Sequence, residues 1–131
     1  MLIDKIAPAP EKLIFLAKKT PSLPVGIVCA HLSSVMESAK EAFELDLINP
    51  IFIGKIDKIQ KEADLLNWNI KNFQIIDKQS DTDAAICGAQ LARDNKIRVL
   101  VKGDLHTDIL MKMYLKKEFG LIGNKRLSHI W

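Results

Sequence analysis

Arginine is scarce in this 131-residue chain: only Arg93, Arg98 and Arg126 stand among 19 basic residues. The scarcity matters because Arg is the better planar clamp for phosphate. Cysteine is scarcer still. Cys29 and Cys87 form no CxxC pair and sit among apolar neighbours, so they read as reduced core residues of a cytoplasmic protein rather than a disulfide. No run of five like charges occurs and the net charge is only +3, which gives no case for nucleic acid. No apolar stretch approaches membrane-spanning length, and the N-terminus has acidic Asp4 in place of a signal-peptide core. Dinucleotide and P-loop glycine motifs are missing, as are HExxH and the G-x-S-x-G elbow. The three histidines and two cysteines lie far apart, so no metal is expected.

What is present is an alternation. The length predicts a single domain, residues 1–131, with one core. Apolar runs start at Val25, Pro50, Phe73 and Arg98, and a helical pattern follows each. A further short helix over Glu11–Lys19 is expected to turn Leu13, Ile14, Leu16 and Ala17 inward. Ser34-Val35-Met36-Glu37 has capping-box spacing for the helix after the first strand. Ser80, Asp81 and Thr82 offer caps for a helix whose inner face is small (Ala84, Ala85, Gly88, Ala92), which permits close packing on a sheet. Capping also explains the cluster Asp77, Asp81 and Asp83. The pattern predicts an α/β, three-layer αβα domain with a mostly parallel sheet. A fifth strand is expected from about Leu127.

The last third, Arg98–Trp131, carries the chemistry. A buried strand ends at Lys102, Gly103 turns the backbone, and a helix follows. Asp104 is the expected cap, with His106 and Thr107 in the first turn. Leu105, Ile109, Leu110 and Met113 recur at helical spacing, and Gly120 supplies the stop. First-turn N–H groups, the Lys102 amine and the Thr107 hydroxyl are expected to converge beyond the strand end, a place for an anion. His31 also follows a strand, where it reads as a solvated loop histidine. His129 reads as a core or interface histidine.

Lys102-Gly103, His106-Thr107, Leu110, Glu118-Phe119-Gly120-Leu121 and Lys125-Arg126-Leu127-Ser128-His129 resemble the phosphate acetyltransferase/phosphate butyryltransferase family. Pro24–Lys58 is similar to that family's first strand, helix and second strand. The resemblance spans most of this chain but under half of a usual member. It implies the first domain of the phosphate acyltransferase (isocitrate dehydrogenase-like) fold. It also implies acyl transfer between coenzyme A and inorganic phosphate, with coenzyme A as substrate and no metal. Lys102, Gly103, His106, Thr107, Lys125, Arg126 and Ser128 would bind these substrates. The family's Arg after Gly-Leu is Ile122 here and the next Thr is Gly123, which removes a bidentate phosphate contact. The family's base segment is expected beyond Trp131, so no base is assigned. A homodimer, or a second chain completing the site, is what the resemblance suggests. Two other readings stand beside the enzyme: an inactive truncated remnant or half-enzyme that at most binds coenzyme A or phosphate, and a flavodoxin-like interaction domain.

Overall fold

The computed structural model describes residues 8–124. The expected fifth strand from about Leu127, with His129, lies outside them. Four strands form one parallel sheet: β1 Leu23–Val28, β2 Ile48–Gly54, β3 Ile75–Asp77 and β4 Val99–Lys102, in the order β3-β2-β1-β4. Leu23 pairs with Ile48, Val25 with Val99, and Phe52 with Ile75. Five helices accompany them: α1 Glu11–Ala17, α2 Ser33–Glu44, α3 Ile56–Leu65, α4 Asp81–Arg93 and α5 Thr107–Tyr114, followed by a short 3₁₀ turn over Lys117–Phe119.

The strands are apolar on both faces because both faces are covered. Val25 and Ile27 of β1 and Phe52 of β2 point to the α2/α3 side, where they meet Met36, Ala39, Ile59 and Ala63. Val28 and Ile53 point the other way, onto Ala84, Ala85, Ala89 and Met113 of α4 and α5. The three-layer expectation therefore holds. Aromatics are few, yet four gather on one face. Phe43, Phe52, Trp68 and Phe73 contact one another, the closest pair being Phe43–Phe73 at 4.8 Å between ring centroids. The small face of α4 packs as expected: a Cβ added at Gly88 would sit 2.8 Å from Leu100 and Val28 side-chain carbons.

Several local expectations need correction. In α1, Leu13 and Leu16 are 61% and 49% exposed, and no residue of the helix is buried. Helical spacing marks a face but does not supply a surface to bury it against. The α2 capping box is not used: the helix starts at Ser33, and Leu32 occupies the cap position without a side-chain bond. Met36 is its most buried apolar residue. Among the described residues no helix is long and apolar enough to cross a membrane.

Candidate functional site

The connection leaving β1 runs to β2, on one side, whereas β4 lies on the other. Parallel sheets open a crevice at such a switch point, beyond the C-terminal strand ends. Here the crevice is sewn together by backbone. Cys29 N–H donates to the Ile53 carbonyl (2.7 Å), Gly103 N–H to that of Val28 (2.7 Å) and Asp104 N–H to that of Cys29 (2.8 Å). Cys29 takes a left-handed conformation, φ +54°, to make the turn. Gly103 passes so close that an added Cβ would lie 2.1 Å from the Cys29 carbonyl oxygen. No side chain fits there, which is the physical reason for glycine.

Around this seam lies a polar cavity of about 370 Å³, lined by His31, Lys55, Lys58, Asp81, Asp104, Leu105 and His106. His31 comes from the β1–α2 loop, Lys55 from the β2–α3 junction, Asp104 and His106 from the β4–α5 loop, and Asp81 from the start of α4. His31 is not the solvated loop residue its sequence position suggests: its side chain is 9% exposed. Its Nε2 lies 3.4 Å from the Asp104 carboxylate, and its buried Nδ1 has no partner. Asp104 is thereby drawn away from the expected cap. The helix begins later, with His106 at the cap position and no side-chain bond there.

The free N–H groups at the starts of α2 and α5 are thus uncovered by cap side chains, which leaves donors for an anion. Elsewhere capping does operate: Ser80 accepts from Asp83 N–H, and Asp77 accepts from Ile56 N–H. Asp81 has a different partner, accepting the Cys29 thiol at 3.6 Å. Burial, reinforced by Asp81 and Asp104, pushes the Cys29 pKa up to about 12. Cys29 therefore stays a neutral thiol near pH 7. Cys87 is likewise free, buried and shifted upward, chiefly by burial. Both carboxylates of the cavity are engaged, whereas among the described residues Lys55 and Lys58 enter no salt bridge.

The residues singled out from sequence divide. His106 lines the cavity, Gly103 forms its seam, and Thr107 opens α5 from an exposed position. The Lys102 amine does not join the expected convergence. It donates to the Leu105 and Gly103 carbonyls, at 2.9 and 3.3 Å, and so braces the turn. Lys125, Arg126 and Ser128 lie outside the described residues. Lys55 and Lys58 escaped sequence reading, although Lys55 directly follows a strand and Lys58 is one helical turn further on. Among the described residues no group of three His, Cys, Asp or Glu could hold a metal ion.

The parallel sheet and flanking helices define a class, the α/β fold of phosphotransacetylases. A phosphotransacetylase from Streptococcus pyogenes superposes with a TM-score of 0.65 at 15% identity, covering 82% of this chain and 42% of that one. That likeness concerns the fold. In sequence, the chain is similar to phosphate acetyltransferases and phosphate butyryltransferases over part of their length. It is 34% identical to the phosphate acetyltransferase of Rickettsia felis over 91 residues, which is 70% of this chain and 26% of the relative. It is 27% identical to the phosphate butyryltransferase of Clostridium beijerinckii over 120 residues, 92% of this chain and 40% of the relative. The chain thus spans between 26% and 40% of the length of these relatives. No protein-family model matches it.

Proposed function

We propose that this chain is a single α/β domain of phosphate acyltransferase type, serving acetyl or butyryl transfer between coenzyme A and inorganic phosphate in the cytoplasm. The observation that supports the reading is the switch-point cavity with its two unengaged lysines, in a chain similar to both transferase kinds. A phosphate or acyl phosphate placed there meets Lys55, Lys58, His106 and the first-turn N–H groups of α5. These donors stabilise charge as the coenzyme A thiolate attacks the acyl carbon and phosphate leaves. In the reverse direction phosphate attacks the thioester and the thiolate leaves. Thr107 is assigned to phosphate, Gly103 to the close approach of backbone, and Lys102 to holding the turn. Lys125, Arg126 and Ser128 are assigned to coenzyme A and phosphate by the resemblance.

The chain's small share of its relatives' length favours a second reading, a half-site that binds coenzyme A or phosphate and turns over only when another chain completes it. One experiment separates the readings. The purified chain is given coenzyme A with acetyl or butyryl phosphate while thioester is followed, and coenzyme A and phosphate are then each titrated in by calorimetry. Turnover supports the enzyme. Binding without turnover supports the half-site. Absence of both overturns the two readings and leaves the interaction domain.

A further inference from the structure

One enclosed polar side chain of the crevice has no part in the acyl-transfer reading. His31 is 9% exposed, and its buried Nδ1 meets no partner. Leaving a polar atom unpartnered is costly, and an apolar side chain of similar size would avoid that cost. What the imidazole does have is one contact, from Nε2 to an Asp104 carboxylate oxygen at 3.4 Å.

Asp104 stands two and three residues ahead of His106 and Thr107, where α5 opens. Polar side chains so placed ordinarily close on the N–H groups that follow them. The same chain shows both closures. Asn69 accepts from Lys71 N–H two residues on, at 3.1 Å, and Ser80 accepts from Asp83 N–H three residues on, also at 3.1 Å. Asp104 makes neither closure. Its carboxylate is 60% exposed, and its one side-chain partner among the described residues is His31, which reaches it from the β1–α2 loop. The other charged groups around the cavity do not supply this hold. Asp81 accepts the Cys29 thiol, and Lys55, Lys58 and His106 form no salt bridge among the described residues.

We infer that His31 is a positioning residue for the anion: by holding the Asp104 carboxylate, it stops the chain's own anion from closing over the α5 N–H groups that a phosphate needs. Carboxylate and phosphate compete for the same donors, and a closed Asp104 would also set its charge against the incoming one. The inference rests on the crevice being a phosphate site, but the hold is a property of the unliganded chain.

Two measurements on the full chain decide it. NMR reads the exchange of the His106 and Thr107 amide protons with water in the absence of ligand. Inorganic phosphate is then titrated in while the crevice amides are followed. His31→Leu, which fills the space without a donor, is expected to slow that exchange about fivefold and to weaken phosphate about tenfold. His31→Ala should do the same. Asp104→Ala added to either is expected to restore both readings, whereas damage to packing around His31 would persist. His31→Gln, whose amide N–H takes the place of Nε2–H, is expected to stay within about threefold of wild type. Unchanged exchange and affinity in His31→Leu and His31→Ala overturn the inference, as does a loss that Asp104→Ala leaves in place. A restored loss without any change in exchange also overturns it, because the carboxylate then competes somewhere other than at α5. A wild type that ignores phosphate refutes the phosphate reading, and exchange in the unliganded variants still decides whether His31 holds Asp104.

Discussion

Gly103 shows how a single residue can fix a site without touching a ligand. The atoms that an added methyl would meet are backbone, the Cys29 and Val28 carbonyl oxygens at 2.1 and 2.6 Å. Neither can rotate aside. Gly103→Ala is therefore expected to cost about 3 kcal/mol or more of stability, read as a fall in the urea midpoint. Cys29 offers a pH signature. Its thiol is raised from 9.0 to about 12 in the folded chain. The native state thus keeps a proton that the unfolded state loses, so stability holds below about pH 9 and declines as pH rises towards 12. Cys29→Ala should flatten that decline in pH-dependent thermal melts. At the cavity, His106→Ala and Lys55→Ala are each expected to weaken phosphate binding about tenfold while leaving the melting midpoint in place, since both groups lie at the rim. Sequence placed His106 and Gly103 because each sits in an ordered motif after a strand. It misplaced His31 and Asp104 because their contact joins two loops 73 positions apart, and nothing local announces it.

At the scale of elements, the strands were legible because covered parallel strands read as unbroken apolar runs. β3 is shorter than its run, since Phe73 leaves the ladder to join the aromatic cluster. α5 ends at Tyr114 rather than near Gly120. The buried Phe119 lies six residues beyond the buried Met113, a spacing that one straight helix would turn to different sides. A 3₁₀ turn brings it in, and Gly120 then closes that turn in the left-handed conformation, φ +62°. α4 carries a prediction of its own. At Gly88 the obstructing atoms are the ends of Leu100 and Val28 side chains, which can shift. Gly88→Ala should therefore change stability by under about 1 kcal/mol, helix propensity offsetting the crowding. Gly88→Leu should cost about 2 kcal/mol or more, both read by urea denaturation.

Over the whole molecule the apolar weight is uneven. The α2/α3 side holds Phe52, Trp68, Phe43 and Phe73, while the α4 side packs small residues tightly. Phe52→Ala, at 0% exposure, is expected to remove about 3–5 kcal/mol, more than any single truncation of an α4 alanine. Charge is spread rather than massed, so attraction for an anion is local to the crevice. Because Lys58 is exposed there, phosphate affinity should fall as salt is raised from low to physiological ionic strength.

The three backbone hydrogen bonds that sew Cys29, Gly103 and Asp104 across the strand ends also bear on time. Loops beside a cleft ordinarily trade their amide protons for deuterium soon after dilution into heavy water. Here those protons belong to the same cooperative unit as the central strands, and should be released only when the sheet itself comes apart. The mouth of the crevice is then preshaped, and an arriving anion has no floppy segment to freeze.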